Sequence, residues 1–253
     1  MSRRGIIGLG VLGFFSFLVF LVAKLPASVI LPFAGDIPDV ELRGASGTLW
    51  EGRIASVHTP ELQVGPVEWS LSAWPLLRGQ AQADVRADVE DGQLNGRLRA
   101  NRAGDIEFHD LRGQFPIALI RPYLAMEVDD LSGQGAFDIE YLTLREMRPY
   151  SARGELRVLD LELRVQQHNF QFGAYQGELT GNEGEMSVRY SDAGGEGPWD
   201  LDGEARLEAD YSFQVEGRVR ARDDAPDHLR TPLEYLGSAD DDGYRTFSFG
   251  GSL

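Results

Sequence analysis

The sequence predicts an all-β protein with one or more long, curved antiparallel sheets built from successive hairpins. The sheets would form an open trough or a sandwich, preceded by one transmembrane helix. Three observations predict this fold class. Apolar and polar residues alternate with a period of two, glycine-rich turns separate the alternating stretches, and an uncharged apolar run opens the chain. With 253 residues, the chain is long enough to bury a core in one large or two small domains.

The first element is an uncharged run of 18 residues from Ile6 to Ala23, with Arg3 and Arg4 before it and Lys24 after it. At about 1.5 Å per residue, a helix of this length spans roughly 27 Å, close to the ~30 Å hydrocarbon core of a bilayer. A cleaved signal peptide is the alternative, but its apolar core is usually shorter and ends in small residues. Leu25-Pro26-Ala27 matches such a cleavage site poorly, so the sequence favours a retained anchor.

Charge predicts how this anchor is oriented. The positive pair before the run places the N-terminus in the cytoplasm and the rest of the chain across the membrane. We therefore expect a cytoplasmic tip and single-pass anchor at residues 1–24 and a water-facing β domain at residues 25–253, with a division into two parts near residue 145 as an alternative. In a bacterial cell the anchor would lie in the inner membrane and the β domain in the periplasm.

A dinucleotide-binding pattern lies inside the anchor. Gly8 to Gly13 matches G-x-G-x-x-G, but that motif binds a cofactor only between a strand and the N-terminus of a helix. Neither context is present here, so we interpret these glycines as part of the membrane helix.

The clearest alternation runs from Ala205 to Ala221, where odd-numbered residues are apolar, aromatic or glycine and even-numbered residues are charged or polar. A sheet with one apolar face and one polar face requires this pattern. The strands should be antiparallel, because buried parallel strands are apolar throughout. Gly217 predicts a bend or bulge between two strands within this stretch.

Two further stretches refine the prediction. Ala81 to Val89 alternates in the same way, with alanine and valine on one face. In Glu155 to Val165 the phase of the alternation shifts between Val158 and Leu159, which predicts a β-bulge there.

Turn signals separate the strands and predict a succession of hairpins. They lie at Glu90-Asp91-Gly92, Arg102-Ala103-Gly104, Gly181 to Gly184 and Ser191 to Pro198. Short helical turns are expected at Pro116 to Leu124 and at Pro226 to Leu236, with Pro226 as the first helical residue. A Leu-x-Gly triplet recurs at irregular spacing, as at Leu111-Arg112-Gly113, and predicts similar strands that share the same corner geometry.

Composition excludes several classes of function. The formal net charge of −16 argues against nucleic acid as a partner, since phosphate backbones bind clustered positive charge. The chain has no cysteine, and its four histidines are far apart, so we assign no metal site. No nucleophile, phosphate-binding or zinc-protease motif occurs, so we assign no catalytic or cofactor-binding residue and expect no enzyme. Acidic pairs such as Asp223-Asp224 are interpreted as solvated loops.

Three tryptophans are the strongest candidates for a functional surface. Trp50, Trp69 and Trp74 lie within 25 residues of one another, and Val67, Trp69, Leu71 and Ala73 are predicted to share a strand face. Packing in the core is the default interpretation, because tryptophan buries a large area wherever it lies. Since the three follow closely after the anchor, we retain them as candidate partner-binding residues, with an interfacial role as an alternative.

These same segments carry a resemblance to a known family. The anchor ending in Leu25-Pro26-Ala27, the S-G-T-L-W-E-G segment at 46–52, the G-P-V-E-W-S-L-S-A-W-P-L-L-R-G segment at 65–79 and the ending at 244–253 resemble the type II secretion system protein N family, also called general secretion pathway protein N. The resemblance implies a non-enzymatic protein of the bacterial inner membrane with a periplasmic body. It also implies contact with other type II secretion proteins during export of folded proteins across the outer membrane.

Two other functions fit the alternating pattern. A lipid-binding or lipid-transfer protein would hold acyl chains in an apolar groove, for which Ala81, Ala83 and Ala87 would leave room. An outer-membrane barrel also has alternating strands, but a retained inner-membrane anchor contradicts it. For a protein that acts by contact, exposed ion pairs contribute little, so pairing of an edge strand with a partner is the mechanism we expect.

Overall fold

The computed structural model describes residues 20–30, 41–58, 63–89, 91–123, 130–165, 168–194 and 197–252. Fifteen strands within these ranges form one open antiparallel sheet. The first eight are β1 (Glu41–Arg43), β2 (Ser46–Gly47), β3 (Glu51–Ile54), β4 (Ser56–His58), β5 (Gln63–Leu71), β6 (Ala81–Val89), β7 (Gly92–Ala100) and β8 (Ile106–Pro116). The remainder are β9 (Asp130–Arg145), β10 (Arg148–Val165), β11 (His168–Asn182), β12 (Glu185–Asp192), β13 (Trp199–Leu207), β14 (Ser212–Ala221) and β15 (Arg245–Ser252).

The strand order follows the sequence. From β5 to β15 each strand pairs with the next one along the chain, while β1 pairs with β4, and both β3 and β4 pair with β5. The predicted all-β, antiparallel succession of hairpins is therefore confirmed, and among the described strands it takes the form of one open sheet instead of two stacked ones. The hairpin at residues 145–148 joins β9 to β10 within this sheet, and the division near residue 145 stays a prediction.

Helices are short, and those that follow β1 lie between strands. α1 (Ala73–Leu76) connects β5 to β6, and α2 (Asp227–Glu234) lies between β14 and β15. Two 3-10 helices cover Ala27–Ile30 and Ile117–Tyr123, the second within the predicted helical turn at 116–124. Pro226 caps α2 instead of occupying its first helical position, and Ala73 begins α1 instead of extending the strand face of Trp69.

The predicted bulge in β10 is confirmed, whereas the predicted bend at Gly217 is wrong. The register of β10 shifts between Val158 and Leu161, and Asp160 has a positive φ of 51°. In contrast, β14 pairs residue by residue with both neighbours through Gly217. The alternating stretch is divided earlier, at the turn between β13 and β14, where Tyr211 has a φ of 66°.

Gly217 and several other glycines within strands have a different role, which is to make room for large side chains on the neighbouring strand. A Cβ built on Gly217 would lie 2.7 Å from the ring of Phe247, which is its direct partner on β15. A Cβ built on Gly135 would lie 2.5 Å from the ring of Phe115 on β8. Other glycines with a large side chain in this position are Gly52, Gly96, Gly113, Gly154, Gly181 and Gly203. The Leu-x-Gly triplets therefore mostly mark positions on the apolar face and not corners.

On the polar face, oppositely charged residues lie directly across from one another. Arg97 pairs with Asp84 at 3.2 Å, Arg112 with Asp138 at 3.0 Å and Arg218 with Asp202 at 2.8 Å, and in each case the two residues are cross-strand partners. Such exposed pairs contribute only about 0–1 kcal/mol each. Their position favours the observed register, because a shift by one residue would place each arginine on the other face.

The apolar face is only partly covered. α2 packs on it at one end of the sheet, where Leu229 and Leu233 are buried and the indole Nε1 of Trp199 donates a 3.0 Å hydrogen bond to the carbonyl oxygen of Leu229. Within the described ranges no large side chain is fully buried, and apolar residues at mid-sheet such as Phe137 and Leu156 are half-buried. Burial is therefore achieved mainly between neighbouring strands, not between layers.

The predicted anchor falls largely outside the described residues, as does the glycine pattern at 8–13. Residues 20–23, the end of the apolar run, are helical, and Phe20, Leu21 and Val22 are exposed. In the part of the chain that the structure describes, no helix is both long enough and apolar enough to cross a bilayer.

Candidate functional surfaces

Trp50 joins the end of the predicted anchor to the sheet. Its indole Nε1 donates a hydrogen bond of 2.9 Å to the backbone carbonyl oxygen of Val22. One residue earlier, the amide of Leu49 donates to the carbonyl oxygen of Leu25 at 2.8 Å. The same carbonyl oxygen accepts a longer bond, of 3.3 Å, from the amide of Leu25, so the indole adds a second donor at the end of the helix. We call residues 22–25 with residues 49–50 the tryptophan junction.

Trp69 supports the same junction from the sheet. It lies in β5 opposite Gly52 of β3, and its ring covers the position where a Cβ of that glycine would be. Its indole Nε1 donates 2.9 Å to the carbonyl oxygen of Leu49. The backbone amide of Leu71, at the end of β5, donates 2.6 Å to the carbonyl oxygen of Trp50. Both half-buried tryptophans thus hold the segment that receives the chain from residue 25.

Trp74 differs from the other two tryptophans because its side chain is 68% exposed. It lies in α1, beside Leu76 and Leu77, and Leu77 is 77% exposed. The structure therefore brings Trp50 and Trp69 together in a structural role and leaves Trp74 at the surface. The default prediction of core packing is wrong for Trp74, Trp50 and Trp69 are half-buried, and the partner-binding assignment stays a prediction for all three.

The two edges of the sheet are unlike each other. At the first edge of the described sheet lie β2, with two residues, and β1, with three, and the two charged ends of β1, Glu41 and Arg43, form an ion pair of 2.7 Å. β15 has eight residues, pairs with β14 on one side only within the described sheet, and carries no proline, lysine or acidic residue. Short, charged strands discourage the addition of further strands, whereas β15 is longer and its one charged residue, Arg245, lies at its start. The outer edge of β15 is therefore the better site for an added strand.

Aromatic residues make this edge distinctive. Phe247 and Phe249 stack with ring centroids 6.5 Å apart, and Phe249 is 57% exposed. Sequence reasoning singled out the ending at residues 244–253 but assigned no function to it. The signal available in the sequence was the alternation of Phe247 and Phe249. Alternation does not show whether another strand of the described sheet covers the outer side of β15.

A cluster of polar groups fixes the start of β15. The hydroxyl of Tyr244 donates a 2.7 Å hydrogen bond to Oδ2 of Asp200, which also accepts from Arg220. The hydrogen bond from Tyr244, followed by those from Arg220, lowers the pKa of Asp200 below its ordinary value despite partial desolvation. The same bond raises the pKa of Tyr244. These contacts stabilise β15 against β13 and β14 at one end and leave its outer edge open.

The polar face forms a groove of about 1190 Å³ across β9 to β15. Acidic side chains outnumber arginines among the lining residues by seven to four, so the groove repels phosphate backbones. Among the described residues no group of three or more histidine or carboxylate side chains is placed to bind a metal ion. The groove therefore offers a charged surface but no built ligand site.

Comparisons with known proteins agree on one family. A family model described as type II secretion system (T2SS), protein N, matches residues 38–248. The chain is similar to the type II secretion system protein N of Vibrio cholerae serotype O1, with 26% identity over 254 residues that cover 98% of each protein. It is 24% identical to the type II secretion system protein N of Aeromonas hydrophila over 234 residues, which cover 90% of this chain and 91% of the relative. No solved structure matches the chain.

Proposed function

Since the chain belongs to the type II secretion system protein N family, we propose that it is a non-enzymatic component of that system, anchored in the inner membrane with its sheet in the periplasm. It acts by contact with other type II secretion proteins during export of folded proteins across the outer membrane. The proposed membrane anchor is the apolar run from Ile6 to Ala23, whose end meets the sheet at the tryptophan junction.

The proposed mode of action is based on the open edge of β15. An added strand would form main-chain hydrogen bonds along eight residues and place alternate side chains beside Phe247 and Phe249. Main-chain bonding supplies affinity in this mode, and contacts with alternate side chains supply specificity. We propose that an extended segment of another type II secretion component pairs with this edge.

The role in secretion is tested by deletion of the gene. We expect export of type II substrates to weaken, or the recovery of other inner-membrane components of the system in pull-downs to change. A strain that needs the system and shows neither effect contradicts the proposed function.

The edge mechanism is tested by single proline substitutions at Thr246, Phe247, Ser248 and Phe249. In an antiparallel edge strand alternate N–H groups face the neighbouring strand, and the others face outward. Two alternate variants should therefore lose stability through damage to pairing with β14. The other two should keep the unfolding midpoint of the unmodified chain and lose cross-linking to other secretion components in intact cells.

Asp241→Pro, in the exposed turn before β15, is the control and should leave cross-linking unchanged. If the two variants that keep stability also keep cross-linking, the β15 edge is excluded and the role in secretion is untouched.

Lipid binding is the alternative function. The half-buried apolar face at mid-sheet favours it, since the described residues place no second layer on that face. However, Ala83 and Ala87, which were expected to leave room for an acyl chain, are buried. Mass spectrometry of lipid that remains bound after detergent exchange tests this function: a defined lipid in stoichiometric amount supports it, and its absence excludes it.

A further inference from the structure

The segment around α1 places exposed apolar side chains at the same end of the sheet as the predicted anchor. Trp50 makes the connection, because its indole bonds to Val22 and its carbonyl oxygen accepts from Leu71. Trp74 follows Leu71 by three residues, which limits the separation of their Cα atoms to about 11 Å. The end of the apolar run and α1 are therefore neighbours, separated by one tryptophan and a few residues.

The composition of this surface is unlike that of the chain as a whole. Residues 72–81 contain Trp74, Leu76, Leu77 and Arg78 and no acidic residue, in a chain with a net charge of −16. Residues 20–30 likewise contain Lys24 and no acidic residue. Arg78 and Lys24 are exposed, and the side chain of Arg102 lies across Gly79. Apolar and aromatic side chains next to basic ones are typical of segments that lie at the surface of a bilayer.

Packing within the chain does not explain the exposure. α1 buries none of its four residues, and Trp74 and Leu77 are 68% and 77% exposed among the described residues. Tryptophan is favoured where one part of the ring is apolar and another is hydrated, as at the level of lipid headgroups. A segment of this kind, held beside a chain that enters the bilayer, would reach the headgroup region without any change of fold.

From this geometry we propose that α1 and the residues after it, Trp74 to Arg78, dock on the phospholipid surface of the membrane that holds the anchor. This inference rests on the anchoring in the proposed function and deepens it. Two attachments, the anchor and α1, fix how the sheet stands on the bilayer. The β strands then leave the membrane in one direction, with α2 and the far ends of the strands pointing away from it.

The absence of cysteine allows a direct test with single-cysteine variants of the full chain. Leu77→Cys and, as a matched exposed control at the opposite ends of the strands, Tyr235→Cys are labelled with bimane. Each protein is placed at one copy per nanodisc of phosphatidylethanolamine and phosphatidylglycerol, with or without brominated acyl chains. We expect brominated lipid to quench the label at residue 77 by about twofold, because interfacial side chains lie roughly 5–10 Å into the headgroup boundary. The label at residue 235 should not be quenched.

The other outcomes distinguish failure of the proposed docking of α1 from failure of the proposed anchor. If the label at residue 77 is as accessible to aqueous iodide as that at residue 235, in discs that contain the chain, the docking of α1 is wrong and the anchor stands. Protection from iodide without quenching by brominated lipid means that protein covers the segment, which also overturns the proposal. A chain that does not enter nanodiscs contradicts the anchor in the proposed function, and the inference about α1 fails with it.

Discussion

The indole Nε1 of Trp50 donates a 2.9 Å hydrogen bond to the carbonyl oxygen of Val22, 28 residues earlier in the chain. This bond connects the last turn of the predicted anchor to the first strands of the sheet. The amide of Leu49, bonded to Leu25, makes a second connection one residue away. The end of the apolar run is therefore attached to the sheet by two hydrogen bonds, at Val22 and at Leu25.

Trp50→Phe should weaken this junction. The variant keeps an aromatic ring but loses the N–H donor and some ring area, and the lost hydrogen bond alone costs about 0.5–1.5 kcal/mol. Hydrogen–deuterium exchange of the full chain should become faster in peptides from residues 20–30 and stay unchanged in peptides from β11 to β14. Trp69→Phe is the matched control, since its donor bonds to Leu49 and should affect residues 45–54 first. Unchanged exchange at residues 20–30 in the Trp50 variant would show that the bond does not hold the junction.

Gly135 and Phe115 should be energetically coupled. Adding a Cβ at Gly135 brings it to 2.5 Å from the ring of Phe115, so Gly135→Ala forces the ring to move and should cost about 1–3 kcal/mol. In a Phe115→Ala background the same substitution should cost much less, which gives a coupling energy of about 0.5–3 kcal/mol in urea unfolding. Gly135→Ala combined with Phe247→Ala, on a distant strand, should be additive. Additivity in both pairs would refute a specific role of the glycine.

Asp192→Asn should destabilise the protein more than loss of an exposed ion pair. Asp192 pairs with Arg222, and both side chains are largely buried, whereas Glu155 and Arg157 form a pair in which both are well exposed. Removing the half-buried carboxylate leaves the guanidinium without its countercharge, at a cost of about 1–3 kcal/mol. Glu155→Gln should change the free energy of unfolding by less than about 1 kcal/mol. Equal effects of the two substitutions in urea would contradict this ranking.

Stability should fall at alkaline pH through Tyr175. Burial, and secondarily the charge of Asp192, raises the pKa of Tyr175 from 10.0 to about 12. The unfolded chain therefore loses this proton at lower pH than the folded protein, so stability is intact below pH 10 and declines between pH 10 and 12. The loss amounts to about 2–3 kcal/mol.

The measurement is urea unfolding at intervals from neutral to alkaline pH, with Tyr175→Phe as the control. The variant lacks the ionisable hydroxyl and should lose less stability across the alkaline window than the unmodified chain. Since Tyr190 and Tyr244 also have raised pKa values, the difference between the two proteins is the informative quantity. Identical pH profiles would show that Tyr175 ionises as it does in the unfolded chain.

Local signals in the sequence predicted the antiparallel strand type, the strands around residues 81–89, 155–165 and 205–221 and several of the turns, because alternation and turn residues act over a few positions. The bulge between Val158 and Leu159 was visible as a shift of phase for the same reason. Gly217 was misinterpreted because its role depends on Phe247, which is 30 residues further along the chain. A glycine that accommodates a ring and one that bends a strand look alike until the partner strand is known.

The candidate surfaces were predicted less completely. The three tryptophans were recognised together, but their separation into two junction residues and one exposed residue depends on Val22, Leu49 and Gly52, which only pairing brings close. The edge at β15 follows from the order of the whole sheet. No local pattern states that a strand is the last one, so this surface required the structure.

The sequential order of β5 to β15 has a further consequence for how such a molecule can change over evolutionary time. Every long strand contacts mainly the ones before and after it in the chain, as in repeat proteins whose units meet only their neighbours. Duplication or loss of one hairpin would widen or narrow the molecule by two strands and leave the flanking architecture unaltered. The distance between the tryptophan junction and the outer edge of β15 is thus a length that selection can adjust without redesigning either end.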